Sequence, residues 1–128
     1  MMIPYIVFPG TCKQALAYYA SVFEGKISFM TTFADSPVEV QNDHKNRIFN
    51  SEFISDKVRF KASDDLPDHP VIVGSNISMF VSFDNGSDRK NVFEELSKEG
   101  QVLFPLDDTF GMLRDKYDLQ WMLASGKE

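Results

Sequence analysis

The chain has 128 residues, enough for one domain with a sizeable core, and 43% of them are hydrophobic, including twelve phenylalanines. Its net charge of −6 argues against a nucleic-acid backbone or an anionic membrane surface as the main partner. The single cysteine, Cys12, rules out an intrachain disulfide and fits a reducing compartment, and no stretch approaches the ~20 apolar residues of a membrane helix. We therefore expect one cytoplasmic domain over residues 1–128 that binds neither nucleic acid nor membrane.

The first half of the chain, residues 1–65, predicts one strand, one helix and three further strands. Thr11 and Gln14 have the spacing of a capping box, which predicts a helix over about 11–24. Gly25 is expected to end this helix in a left-handed conformation. The strands are predicted at 5–8, 27–33, 47–55 and 57–62, with a polar loop, expected to be mobile, over 34–46.

The second half, residues 76–125, repeats this plan. Subtracting 75 from the numbers of its first strand and its helix places them almost on those of the first repeat. Ser87 or Asp88 is expected to cap a helix over about 87–99, and Gly100 to end it. The strands are predicted at 77–83, 101–105, 111–114 and 119–124. The order βαβββ therefore occurs twice, which suggests a cleft built between equivalent sheets.

The two ends of the sequence carry recognisable motifs. These are Pro4-Tyr5-Ile6-Val7-Phe8, Tyr18-Tyr19, Val22-Phe23-Glu24-Gly25, Pro105-Leu106-Asp107-Asp108-Thr109-Phe110, Gly111-Met112, Asp115-Lys116-Tyr117 and Trp121-Met122. They resemble the PhnB-like branch of the vicinal oxygen chelate superfamily, which has the glyoxalase/bleomycin-resistance/dioxygenase fold. Members carry a few more residues between Phe110 and Gly111 than this chain does. The resemblance implies an α+β fold of two βαβββ modules, with sheets curled around a cavity and helices outside.

The resemblance also locates the positions at which superfamily enzymes hold a divalent metal through His, Glu or Gln. Here these positions fall on Pro4, Asn76 or Ser78, Asn50 and Met122. Zinc prefers imidazole or thiolate and hard cations prefer carboxylate, and none of these residues supplies either. Glu52 has suitable chemistry and lies on the same strand as Asn50, but one carboxylate does not make a metal site. We therefore expect neither a metal nor another cofactor.

The remaining candidate groups favour structural roles. His44 and His69 lie in polar loops and would share a metal only if the two loops converged. Cys12 begins a helix but falls on its apolar stripe, which predicts a buried structural thiol rather than a reactive one. Asp107 and Asp108 point to opposite sides of an extended chain and are expected to hydrogen-bond their own loop rather than act as an acid/base pair.

The leading hypothesis for function is a cavity that binds a small, partly apolar organic molecule without the usual metal. Sequestration of a drug-like compound, as in bleomycin-resistance relatives, is one form of this, and no catalytic residue is predicted. Strand alternation predicts that the lining residues are Ile6, Phe8, Asn50, Glu52, Ser78, Phe80, Gln120 and Met122.

Three alternatives remain open. A metal-dependent lyase or dioxygenase of the superfamily would need the ligands that are missing here. A methyltransferase of the demethylubiquinone type would need a glycine-rich strand–helix turn, whereas the seven glycines are scattered. A purely structural dimer module differs from the leading hypothesis only in whether the cavity is open. We expect a homodimer in any case, because a single chain leaves sheet edges and aromatic surface uncovered.

The residues at the metal-ligand positions of the superfamily predict that the purified protein carries no stoichiometric transition metal. Proline and methionine at those positions offer no oxygen or imidazole nitrogen to a cation. Elemental analysis by mass spectrometry measures this directly. About one zinc, nickel, manganese or iron per chain, lost when cavity residues are mutated, would contradict the prediction.

Overall fold

The structure is a computed structural model that describes residues 1–126, and it contains two compact units. The first unit is Met1–Ile72 and the second begins at Val73. Each unit is a βαβββ module with one α-helix and a four-stranded mixed sheet, so the α+β class and the predicted element order are confirmed. Among residues 1–126, no helix has the length and apolar character that crossing a membrane requires. That the two units form one domain stays a prediction.

The elements lie close to their predicted positions. The first unit contains β1 (Tyr5–Phe8), α1 (Cys12–Phe23), β2 (Lys26–Thr32), β3 (Ile48–Ile54) and β4 (Arg59–Asp64). The second unit contains β5 (Met79–Phe83), α2 (Gly86–Ser97), β6 (Gln101–Phe104), β7 (Phe110–Arg114) and β8 (Gln120–Ser125). The connection between β2 and β3 also holds two short 3₁₀ helices, Phe33–Asp35 and Asn42–His44, and the first of them begins at the residue predicted to end the strand.

The two sheets share one topology. Their strand orders are β1-β4-β3-β2 and β5-β8-β7-β6. In each sheet the first strand in sequence runs parallel to the last, and the other pairs are antiparallel. The first strand of each unit is therefore an edge strand whose only neighbour in the sheet is the last strand of that unit.

One helix covers one face of each sheet. In the first unit, the ring of Tyr19 on α1 lies 6.4 Å from that of Phe53 and 5.7 Å from that of Phe60, and all three side chains are fully buried. In the second unit, a Cβ on Gly111 of β7 would lie 2.7 Å from the ring of Phe93 on α2, so only glycine admits this approach. Because side chains alternate along a strand, the other half point away from the helix, and we call that side the helix-free face.

The start of α1 is capped from a distant strand. Thr11 makes no side-chain cap hydrogen bond, so the predicted capping box with Gln14 is wrong. Instead, Oδ1 of Asp64 accepts a hydrogen bond from the backbone N–H of Cys12 at 2.8 Å, and its Oδ2 accepts one from the N–H of Ile48 at 2.8 Å. Asp64 is buried, so its carboxylate joins β4, the start of α1 and the start of β3 inside the unit.

The start of α2 has a local cap. Asn85 Oδ1 accepts hydrogen bonds from the backbone N–H groups of Ser87 at 2.9 Å and Asp88 at 3.1 Å. The predicted cap, Ser87 or Asp88, is therefore wrong by two or three positions. A side-chain acceptor placed before the first turn satisfies donors that have no partner within the helix.

The same pair of residues, Glu followed by Gly, comes directly after α1 and one residue after the end of α2. The left-handed backbone belongs to Glu24 (φ 52°) and Glu99 (φ 59°), so the prediction of a left-handed Gly25 is wrong. The glycines are needed for space. A Cβ on Gly25 would lie 2.7 Å from a carbonyl oxygen of β3, and a Cβ on Gly100 would overlap the backbone of β7.

Replacing Asp64 with alanine should lower the free energy of unfolding by about 2–4 kcal/mol, because two buried N–H groups lose their acceptor. Asp64→Asn keeps one carbonyl oxygen and should lose roughly half as much. Urea unfolding followed by circular dichroism gives both values. The control is Asp68→Ala, since that side chain is 76% exposed. An unfolding free energy for Asp64→Ala within about 0.5 kcal/mol of the control would contradict the role of this carboxylate.

Candidate functional site

The helix-free face of the first sheet carries polar and aromatic side chains. Asn50 and Glu52 both lie on it, as strand alternation predicts, and Glu52 is opposite Phe29 on one side and Lys61 on the other. Tyr5 donates a hydrogen bond from its hydroxyl to Asn50 Oδ1 at 3.3 Å. The ammonium of Lys61 lies 5.8 Å from the centre of the Phe29 ring, within cation–π range. The sequence analysis did not predict Tyr5, Phe29 or Lys61 on this face.

Ile6 and Phe8 lie on the other face. Their parallel pairing with β4 places them beside residues that the helix buries, and Phe8 is only 1% exposed. Their predicted position beside Asn50 is therefore wrong. The exposed residues of this strand are Tyr5 and Val7. Because β1 is apolar at every position, its composition does not show which side faces the helix.

Both carboxylate oxygens of Glu52 are engaged within the sheet. Ser28 donates its hydroxyl to Oε1 at 2.7 Å, and Arg59 donates from Nη2 to Oε2 at 3.0 Å. The hydrogen bond from Ser28, followed by that from Arg59, lowers the pKa of Glu52. Glu52 is therefore an ionised partner of its neighbours and has no raised pKa that would suit a general acid.

The helix-free face of the second sheet is an apolar surface. Phe80 on β5 is paired with Met122 on β8, and Met122 is opposite Met112 on β7. Phe104 on β6 is opposite the same Met112, and its ring lies 6.2 Å from that of Phe110. We call these five side chains the Phe/Met surface.

A polar cluster lies on this same face. Gln120 donates from Nε2 to Ser78 Oγ at 3.2 Å and to the carbonyl oxygen of Ser75 at 3.0 Å. Its Oε1 accepts a hydrogen bond from Arg114 Nη2 at 2.7 Å. All four residues predicted from this half of the chain therefore share one face. The side-chain amide of Gln120, however, makes its hydrogen bonds to other groups of the protein.

The residues present do not fit the divalent metal of the superfamily enzymes. Within residues 1–126, no group of three or more His, Cys, Asp or Glu side chains is placed to hold a metal ion. The loops that carry the two histidines do converge, because His44 and Asp68 line the same recess. His69 instead lies with Nδ1 3.4 Å from Asp68 Oδ2, and its side chain is almost fully exposed.

Asp107 organises its own loop, as predicted. Its Oδ1 accepts hydrogen bonds from the backbone N–H groups of Thr109 and Phe110, both at 2.8 Å. These two bonds, Thr109 first, lower the pKa of Asp107. In addition, buried Arg89 donates from Nη2 to the Asp107 carbonyl oxygen at 2.8 Å. The side chain of Asp107 therefore stabilises the turn before β7.

The comparisons with known proteins agree with this architecture. The family model for 3-demethylubiquinone-9 3-methyltransferase matches residues 1–124. Two βαβββ units with this topology define a vicinal oxygen chelate protein. The chain belongs to the 3-demethylubiquinone-9 3-methyltransferase family, the PhnB-like branch of that superfamily.

Solved structures share the fold over nearly the whole chain. Protein PA1353 from Pseudomonas aeruginosa is 28% identical, with a TM-score of 0.88 and 98% of this chain and 96% of that one covered. A putative 3-demethylubiquinone-9 3-methyltransferase, PhnB protein, from Bacillus cereus is 22% identical, with a TM-score of 0.82 and 98% of both chains covered. The fosfomycin resistance protein FosX from Mesorhizobium loti is 9% identical, with a TM-score of 0.67 and 99% and 91% covered.

Cys12 should not react with thiol reagents in the folded protein. Burial raises the pKa of its thiol to about 12, so at about pH 8 only about one molecule in ten thousand carries the reactive thiolate. Its Sγ also lies 3.7 Å from Ser51 Oγ in the core. A colorimetric thiol assay should therefore give no signal until urea unfolds the chain. Rapid labelling of the native protein at this cysteine would contradict the burial.

Proposed function

We propose that the chain binds a small, partly apolar organic molecule, and that the Phe/Met surface is the main contact. The observation that carries the proposal is the exposure of this surface. Phe80 is 61% exposed and Phe104 is 57% exposed, although both stand on a sheet face with no helix of its own unit over it. Met122 and Met112 lie between these two rings on the same face. A contiguous exposed apolar patch with aromatic side chains is typical of binding surfaces.

The chemistry of the face supports a ligand of mixed character. Met112 and Met122 have flexible, polarisable side chains that adapt to different apolar shapes. Arg114, Gln120 and Ser78 form a polar cluster on the same face. Small-molecule sites combine apolar walls with a few placed polar groups, and this face has both. Asn50 and Glu52 offer a second polar set on the first sheet.

Binding without turnover is the form of this proposal that the residues support. A lyase or dioxygenase of the superfamily depends on a metal, and the donor set described above does not fit one. Methyl transfer, which the family name describes, needs a site for a nucleotide-type cofactor. Scattered glycines offer no glycine-rich strand–helix turn for it. A homodimer is part of the proposal because each of the two outer strands of a sheet leaves one hydrogen-bonding edge unpaired within that sheet.

Anilinonaphthalene sulfonate, an aromatic anion that fluoresces on apolar surfaces, tests the proposal with one matched pair of variants. Phe80→Ser removes an exposed aromatic ring from the Phe/Met surface and should weaken binding of the dye about tenfold. Val102→Ser is the control. Val102 is 47% exposed on the same sheet, but its pairing with Leu113 places it on the helix-covered face. Its replacement should leave dye binding unchanged.

Two outcomes would count against this assignment. One is a wild-type protein that does not bind the dye, and the other is an equal loss of affinity in both variants. Circular dichroism shows that each variant is folded before the comparison is made. Light scattering on the same samples tests the expected homodimer, and a monomer mass that persists on concentration would rule it out.

A further inference from the structure

Arg114 brings a positive charge to the helix-free face of the second unit. It is the last residue of β7, and because side chains alternate along a strand it shares this face with Met112. Among the described residues of the four strands, the other side chains that the pairing places on this face are aromatic, methionine, alanine, serine or glutamine. The Phe/Met surface therefore has one charged neighbour on its own sheet face, and that neighbour is a cation.

The guanidinium of Arg114 is held by neutral oxygen atoms. Nη1 donates to the carbonyl oxygen of Asp118 at 2.9 Å, and Nη2 donates to the carbonyl oxygen of Gly74 at 3.2 Å and to Gln120 Oε1 at 2.7 Å. No carboxylate of the described residues forms an ion pair with it. Arginine does not lose its proton, so the charge persists beside an apolar surface without a balancing anion.

A donor of this guanidinium is open to a ligand. The three hydrogen bonds use Nη1 and Nη2 and leave Nε without a partner among the described residues. Within residues 1–126, the side-chain nitrogens that are both enclosed and without a partner belong to His44 and Arg89, and not to Arg114. Nε of Arg114 is therefore in contact with solvent and can donate a hydrogen bond to a bound molecule.

Gln120 fixes the position of this guanidinium. Gln120 is 6% exposed, and its Nε2 donates to the carbonyl oxygen of Ser75 at 3.0 Å and to Ser78 Oγ at 3.2 Å. These bonds orient Oε1, which accepts from Arg114. A cation that is already held in place loses little conformational freedom when a ligand binds. Its attraction to an anion is also stronger beside apolar side chains than in open water.

We propose that the ligand of the Phe/Met surface is an organic monoanion, a carboxylate with an apolar body, and that Arg114 determines this specificity. The inference rests on the function proposed above and names the chemical class of its ligand. One carboxylate oxygen accepts a hydrogen bond from Nε of Arg114, and the apolar body lies against Met112 and Met122. Charge-assisted hydrogen bonds of this kind are among the stronger ones in proteins.

The charge and the spacing on the sheet restrict the ligand further. A monoanion balances the single positive charge, whereas a dianion would leave one negative charge unbalanced in a protein whose net charge is −6. An ammonium ligand would meet Arg114 as a like charge. Arg114 and Met112 are two positions apart on one strand, a distance of roughly 7 Å, which a chain of a few carbon atoms spans.

Three probes with the same phenyl ring and four-carbon chain test the charge. 4-Phenylbutyrate is the anion, 4-phenylbutyramide is its neutral analogue, and 4-phenylbutylammonium is the cation. Methyl signals of methionine in a nuclear magnetic resonance titration report on the face, because Met112 and Met122 lie next to each other on it. 4-Phenylbutyrate should shift both signals with a Kd of about 1 mM. The amide should bind about tenfold more weakly, and the ammonium more weakly than the amide.

Two variants that each remove one positive charge test the role of Arg114. Arg114→Met should weaken binding of 4-phenylbutyrate about tenfold and leave that of 4-phenylbutyramide unchanged. A merely structural role of Arg114 would weaken both equally. Lys98→Met is the matched control, because the Lys98 side chain is 66% exposed and pairs with Glu95 at the end of α2, on the helix-covered side. Its affinity for both probes should equal that of the wild type.

The proposal is overturned by any of three results. The amide binds the wild-type protein as tightly as the carboxylate, Arg114→Met retains the wild-type affinity for the carboxylate, or Lys98→Met loses as much of it as Arg114→Met. If Arg114→Met does not fold, the three probes on the wild-type protein decide the question. Equal binding of anion and amide removes the charge specificity and leaves the apolar site in place. Unchanged methionine signals with all three probes would contradict the apolar site as well.

Discussion

Each four-stranded sheet of this protein packs against a single helix, and the surfaces available to a ligand follow from that arrangement. A strand directs successive side chains to opposite faces, so neighbouring residues have different surroundings. Phe53 is fully buried under α1, whereas the adjacent Glu52 points to the other side and pairs with Arg59. The same packing that builds the two cores therefore leaves one face of each sheet without a helix of its own unit. The aromatic and methionine side chains of the second unit collect on that face.

Local patterns in the sequence account for most of the fold. The apolar stripes and the breaks at Gly25 and Gly100 predict helices over 11–24 and 87–99, and the structure has Cys12–Phe23 and Gly86–Ser97. These signals work because a helix depends on side chains only a few residues apart. The cap on α1 has no such local signal. It comes from Asp64, 52 positions after Cys12, and depends on the finished pairing of β4 with β1.

The candidate site shows the same division between local and long-range information. The four residues predicted from the second half share a face because β5 pairs with β8 in a register that places Phe80 beside Met122, although β8 is an apolar run at Trp121-Met122-Leu123-Ala124. The first strand does not alternate either, and the prediction that Phe8 lies on the same face as Asn50 is wrong. The internal repeat contained the missing signal, since the offset of 75 places Phe80 on Tyr5 and Phe83 on Phe8. The recess lined by His44 and Asp68 has no local signal in the sequence, because it depends on two distant loops that meet only in the folded unit.

The pairing of the first strand with the last has a consequence for synthesis on the ribosome. Until β4 has been made, β1 has no partner in its sheet, and β5 must likewise wait for β8. Neither sheet can therefore be completed strand by strand as the chain emerges. Each must form when its whole unit has left the exit tunnel, and the non-local contacts make this step slow compared with helix formation. Because the first unit ends at Ile72, it can fold while the second is still being translated.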